Sequence, residues 1–181
     1  VGLMPDASRA LAMGFAGAGH AVAVIGDVGG KLGASEYLEV CRGQARGAVQ
    51  TVAAGHRAVC DAVRGLVAQG LLASCHDISE GGIAVALAEC AVGGGIGCKV
   101  ELPGEGRADE LLFGEGPGRF VISYDPANGD AIRSALGDVA LTEVGKTGGD
   151  HVDIAGAGHS IALPLAELGH AYTHGFDHAV D

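Results

Sequence analysis

The stretch from Leu71 to Ala91 constrains this chain more than any other. A short apolar run, Leu71–Cys75, reads as a strand that leads into His76-Asp77-Ile78-Ser79-Glu80-Gly81-Gly82. From Ile83 to Ala91 a helix follows, with Ile83, Leu87, Cys90 and Ala91 on one face. Ser79 is placed as the helix N-cap, with Gly81 and Gly82 in the first turn. Glycine there costs about 1 kcal/mol relative to alanine. It offers access in return, because without a Cβ a ligand's oxygens can approach the free N–H groups of the helix start. Glu80 could instead repel an anion, hold a cation or cap the dipole. The alternative is that the glycines serve only close packing of helix on strand.

Elements on either side are of both kinds. Ala21–Ile25 is a five-residue apolar run stopped by Gly26-Asp27, the pattern of a buried strand. Ser35-Glu36-Tyr37-Leu38 begins a short helix. Between Thr51 and Gln69, Val52, Val59, Val63, Leu66 and Val67 recur at helical spacing, with Gly70 placed as the cap beyond. Gly93–Gly97 ends the central helix; Cys98–Leu102 and Arg119–Tyr124 are strands separated by a polar loop, Pro103–Glu110. Asp125–Gly129 is a turn, Asp130–Leu136 a short helix, Val139–Val144 and His151–Ile154 strands, and Leu165–Ala179 a closing helix. Without strict βαβ alternation, the fold class is α+β rather than a doubly wound sheet.

The 181 residues suit one domain or two small ones, and 48% hydrophobic composition excludes a disordered chain. Eleven basic against 22 acidic residues leave a net charge of −11, and no Lys/Arg cluster offers the basic face that nucleic acid requires. Five cysteines with no C-x-x-C pair point to reduced thiols and a cytoplasmic location. No segment approaches the roughly 18 apolar residues of a membrane span. The first residue is Val, so a piece of a longer polypeptide is expected.

Other candidate motifs have simpler readings. Glu143-Val144-Gly145-Lys146-Thr147 resembles the end of a phosphate-binding P-loop, but Ala140 replaces its first glycine and no helix follows, so a hairpin turn is preferred. His170, His174 and His178 lie at i, i+4 and i+8, a spacing that can chelate metal, yet nothing nearby completes a site, and a solvated face is expected. His56 and Cys60 read as a helix surface and edge. Asp109-Glu110 and Glu101/Glu105 read as solvated loop carboxylates. No catalytic triad or Gly-x-Ser-x-Gly elbow is present. Glu115 and Arg119 flank Gly116-Pro117-Gly118 just before a strand; that turn could border a site, with an ion pair across it as the default.

Leu32-Gly33-Ala34-Ser35-Glu36-Tyr37-Leu38, then Ser74–Glu89 with its Asp77-Ile78-Ser79-Glu80-Gly81-Gly82 core, then Leu112-Phe113-Gly114-Glu115 and Arg119–Ser123, resemble in order and interval the last synthase-type domain of phosphoribosylformylglycinamidine synthase. The Gly-Ala-Ser-Glu-Tyr form is similar to the smaller synthase subunit, and the resemblance runs from Val1 to about Ala171. The combination argues against the related aminoimidazole ribonucleotide synthetase, selenophosphate synthetase, thiamine-monophosphate kinase and hydrogenase maturation factor. Two departures stand out. Glu115-Gly116-Pro117 replaces a Glu-Ser-Gln-like tract, and Tyr172 stands where the family often carries tryptophan.

The resemblance implies a layered α/β domain of the aminoimidazole ribonucleotide synthetase C-terminal type, related to the ferredoxin-like fold. It would span residues 1–181 as the second C-terminal-type domain of a longer enzyme of de novo purine biosynthesis. That enzyme uses ATP and magnesium to activate the amide oxygen of formylglycinamide ribonucleotide, then adds glutamine-derived ammonia. Its partners would be the rest of its own chain, a glutaminase subunit and a small accessory subunit. Most nucleotide, metal and substrate ligands belong to segments absent here, so the domain alone is expected to be inactive, with no catalytic or metal residue of its own. Asp77, Ser79, Gly81 and Gly82 carry over as a phosphate-facing helix start, with Glu115 and Arg119 nearby. Two other readings stay open: a scaffold half that touches no ligand, and a stand-alone nucleotide-binding module.

Overall fold

Ala21–Ile25 forms β1, and all five of its residues are buried. A strand can be apolar throughout only if both faces of its sheet are covered. The computed structural model, which describes residues 6–175, shows this arrangement. Val22 and Val24 enter one hydrophobic core, while Ala21, Ala23 and Ile25 enter a second core on the opposite face.

In chain order the elements are β1, α1 (Glu36–Arg42), α2 (His56–Ala68), β2 (Ser74–Asp77), α3 (Gly82–Gly94), β3 (Cys98–Leu102), α4 (Ala108–Phe113), β4 (Phe120–Tyr124), α5 (Gly129–Leu136), β5 (Leu141–Thr147), β6 (His151–Gly156), β7 (His159–Pro164) and α6 (Leu165–His174). The seven strands form one sheet in the order β2-β4-β1-β5-β3-β6-β7, antiparallel except for the parallel β3–β6 pair. Helices α3, α4 and α6 pack on one face; α2 and α5 pack on the other through Val63, Leu66, Ile132 and Leu136. The chain is thus a three-layered α+β fold.

Several boundaries differ from those read in the sequence. Helix α2 begins at His56, not Thr51, because residues 51–55 are exposed and bury no apolar face. Strand β2 is Ser74–Asp77, later than Leu71–Cys75, since its register is set by pairing with β4. The expected loop Pro103–Glu110 ends early, at the start of α4 (Ala108–Phe113), whose Leu112 is buried and whose Asp109 and Glu110 sit at the favourable amino end. There Asp109 is bonded to Arg107 and Glu110 to Lys31, so neither is simply solvated. Strand β7 was not read at all, and the segment 176–179 of the expected closing helix lies outside the described residues, as does His178.

The Gly145-Lys146-Thr147 segment lies within β5 rather than in a hairpin turn. Residues 148–150 connect β5 to β6, but β3 lies between those two strands. The connection passes over the start of β3, where Gly97 N–H donates to Gly149 O at 2.9 Å and Gly148 N–H to Gly97 O at 2.7 Å. Gly97 is needed there, since a Cβ would meet the backbone of His151.

Candidate functional site

Strand register builds the site. β2 pairs antiparallel with β4 so that Asp77 lies opposite Phe120, and Ile78 N–H continues the ladder to Arg119 O at 2.9 Å. Residues 77–80 are thereby laid against residues 115–119. Between them opens a pocket of about 580 Å³ walled by His56, Asp77, Ser79, Glu80, Glu115 and Arg119, with Gly116-Pro117-Gly118 as its rim. Four of the six residues expected from the sequence line it. Gly81 and Gly82 are buried behind the wall.

The helix start differs from the expectation. Ser79 does not cap α3; the N-cap is Gly81 at φ 75°, and Ser79 supplies only its carbonyl, which accepts from Gly82 N–H at 3.1 Å. Gly82 has φ 69°, and a Cβ there would lie 2.7–2.8 Å from Phe113 C and Leu112 O. Glycine is therefore required by left-handed backbone and by the approach of α3 to the end of α4.

Glu115 Oε1 accepts from Gly81 N–H at 2.8 Å and from Glu36 N–H at 2.9 Å. One carboxylate oxygen thus serves the amino ends of α1 and α3, where negative charge is favoured. Its own backbone forms a two-bond bridge to Lys31, each bond 2.9 Å.

Arg119 is 1% exposed, and it does not form the expected ion pair with Glu115. Its guanidinium donates to three carbonyls instead: Gly114 O at 2.7 Å, Val28 O at 3.1 Å and Gly116 O at 3.3 Å. Burial pushes its pKa down, opposed by nearby Asp27 and Glu115, and an arginine stays protonated even so. These bonds hold the 114–118 turn in place. The groups left facing the pocket are Asp77, Ser79 and Glu80, all exposed.

His56 is the wall residue that sequence reasoning placed elsewhere. Its Nδ1 is buried without a partner among the described residues, and a Cβ on Gly118 would lie 2.7 Å from it. Its Nε2 lies 3.7 Å from Cys60 Sγ. The i, i+4 pair is real, but no sequence signal ties residue 56 to the turn at 116–118. On the far side of β2, His76 Nε2 meets Glu89 Oε2 at 2.9 Å and ties the strand to α3. His170 and His174 stack with ring centroids 4.3 Å apart on exposed α6. Among the described residues no three His, Cys, Asp or Glu side chains converge as a metal site would.

Residues 17–156 match the family model described as AIR synthase related protein, C-terminal domain. The chain belongs to that family. This AIR synthase-related domain is 37% identical over 189 residues to the phosphoribosylformylglycinamidine synthase subunit PurL of Anaeromyxobacter sp. strain Fw109-5, covering 97% of the chain and 24% of the relative. It is likewise 37% identical to the PurL subunit of Chelativorans sp. strain BNC1, covering 95% of the chain and 24% of the relative. The domain therefore spans about a quarter of the length of these curated relatives. Its fold matches T. maritima PurL complexed with FGAR (TM-score 0.72, 17% identity, 90% of this chain, 30% of that one). The ATP complex of the same protein gives a TM-score of 0.69 at 15% identity, covering 90% and 28% of the two chains. The structure of PurLQS from Thermotoga maritima gives 0.68 at 16% identity, covering 90% and 28%.

Proposed function

We propose that residues 1–181 form one domain, the second C-terminal-type domain, of a PurL-type phosphoribosylformylglycinamidine synthase. The whole enzyme is an ATP-dependent ligase of purine biosynthesis. It converts formylglycinamide ribonucleotide and glutamine-derived ammonia to formylglycinamidine ribonucleotide in the cytoplasm, with a glutaminase subunit and a small accessory subunit as partners. The observation that carries this reading is 37% identity to PurL over 97% of the chain. The resembling segments Asp77–Gly82 and Glu115–Arg119 also meet around one pocket.

The whole enzyme uses magnesium and ATP, but the described residues of this domain do not fit that group. No carboxylate cluster converges, and the start of α3 that would face a phosphate already has the Glu115 carboxylate on Gly81 N–H. A phosphate placed in this pocket would also meet the carboxylates of Asp77 and Glu80, with each nitrogen of the Arg119 guanidinium already donating to a carbonyl. Nucleotide and metal are therefore assigned to the rest of the polypeptide. This domain contributes a rigid wall carrying Asp77, Ser79 and Glu80, suited to hydrogen-bonding hydroxyl or amide groups of a substrate held mainly elsewhere.

The internal use of Glu115 and Arg119 favours a second reading, in which the domain is a scaffold half that touches no ligand. Reconstitution tests the primary reading. The domain is mixed with the separately produced remainder of its polypeptide and the partner subunits, and ADP release dependent on formylglycinamide ribonucleotide is followed. Activity only when the domain is present supports it as a required part of the ligase. Equal activity without it removes that role.

A further inference from the structure

In a chain of net charge −11, the stretch 40–57 carries Arg42, Arg46 and Arg57 and neither Asp nor Glu. It covers the end of α1, a connection without helix or strand at 43–55, and the first turn of α2. So long an irregular connection is unusual in a compact fold and is commonly functional. Its backbone is held at 46–48. Ala34 N–H donates to Arg46 O at 3.0 Å, Gly33 leaves no room for a Cβ beside Ala48, and Gln50 and His56 press on Gly116 and Gly118 at the pocket rim. Yet Val40, Val49 and Val52 are 79%, 61% and 66% exposed. Arg42 and Arg46 pair with no carboxylate among the described residues, and Arg57 meets only Asp61. Three exposed valines and two unpaired arginines, on one stretch whose backbone is held at 46–48 and whose side chains press on the pocket rim from 50 and 56, suit a contact surface better than a solvated loop.

We propose that the α1–α2 connection docks against an acidic, partly apolar surface on the remainder of the longer polypeptide, beside the pocket. The proposal rests on the reading of this chain as one domain of a PurL-type synthase. Two observations choose that occupant. The chain spans 24% of the relative's length, so most of such a polypeptide lies outside it. The patch is cationic within a strongly acidic chain, so it attracts a surface of opposite sign, whereas two copies of a −11 chain repel each other at long range.

Cys41 lies between Val40 and Arg42 and is exposed, whereas Cys90 and Cys98 are buried and burial pushes the Cys75 thiol up to about 11. N-ethylmaleimide labelling of Cys41, read by peptide mass spectrometry, therefore reports on the patch. The rate is measured in this chain alone and in the full-length polypeptide. The expected result is a slowing on the order of tenfold in the full-length polypeptide, because the docked surface closes access to the thiol. Val40→Ser/Val49→Ser/Val52→Ser and, separately, Arg42→Glu/Arg46→Glu should each restore the rate of the isolated chain. Equal rates in the two contexts, or protection that both variants leave intact, overturns the proposal. So does protection that appears in the isolated chain as its concentration rises, which would make a second copy the occupant. Formylglycinamide ribonucleotide-dependent ADP release in the same full-length sample reads the enzymatic assignment separately. Its absence sinks that assignment whatever the labelling shows, and activity with equal labelling rates sinks the docking surface alone.

Discussion

Arg119→Met is the most informative single perturbation of the pocket. The side chain is 1% exposed and its three donors hold Gly114 O, Val28 O and Gly116 O at 2.7, 3.1 and 3.3 Å. A hydrogen bond from a charged donor contributes about 1.5–3 kcal/mol. The geometry gives one strong bond, one ordinary bond and one weak bond. Removing the guanidinium also removes a buried charge that has no ion-pair partner among the described residues, which offsets part of the loss. Methionine refills most of the volume, so the net destabilisation should be roughly 2–4 kcal/mol, or about 5–15 °C in Tm for a domain of this size. Scanning calorimetry of both proteins measures it. Arg119→Lys should recover less than half, since an ammonium cannot present the planar fork to three carbonyls. A Tm loss under about 2 °C for the methionine variant, well below this range, would show that the turn does not depend on Arg119.

Gly82→Ala places a Cβ 2.7–2.8 Å from Phe113 C and Leu112 O at φ 69° and should cost more than about 3 kcal/mol in urea denaturation. Gly95→Ala has a similar φ of 65° but open space, so it should cost only about 1–2 kcal/mol; equal losses would show that packing against α4 is not the cause. Burial, with Asp77 second, pushes the Cys75 thiol from 9.0 to about 11, and burial with Asp153 pushes Cys98 to about 12. Because the folded values lie above the unfolded one, the stability these neutral thiols contribute is complete below pH 9 and is lost as pH rises towards 11–12. The urea midpoint should fall across that interval and fall less in Cys75→Ala; identical slopes would remove the thiol from the explanation.

How far the sequence disclosed this fold depended on whether local pattern or long-range pairing decided each element. Ala21–Ile25, β3 and β4 were readable because burial on one or both faces leaves a direct imprint on composition. Helix α4 was obscured by its polar first turn and the preceding glycines, and β7 by an edge position that leaves four of its six residues exposed. The insertion of β3 between β5 and β6 could not be read, because the short glycine-rich connection at 148–150 imitates a hairpin. At the site, Asp77, Ser79, Glu115 and Arg119 were found through ordered motifs that the β2–β4 register then joined. His56 was not, since only the tertiary approach of α2 to the 116–118 turn brings it there. Of the two readings open for Gly81 and Gly82, ligand access and close packing, the geometry favours packing, against Val85 and the end of α4, and adds a left-handed backbone that the sequence did not disclose.

Asp77 and Ser79 decide between a working wall and a scaffold. Both line the pocket and both are exposed, so replacing them should leave the fold intact. The decisive measurement is formylglycinamide ribonucleotide-dependent ADP release by the full-length polypeptide with its partner subunits, carrying Asp77→Asn/Ser79→Ala. If this domain's wall contacts substrate, kcat/KM should drop by roughly tenfold or more, the equivalent of about 1.4 kcal/mol of lost binding, with Tm unchanged. Unaltered kcat and KM at the same Tm would contradict substrate contact and leave the domain a scaffold.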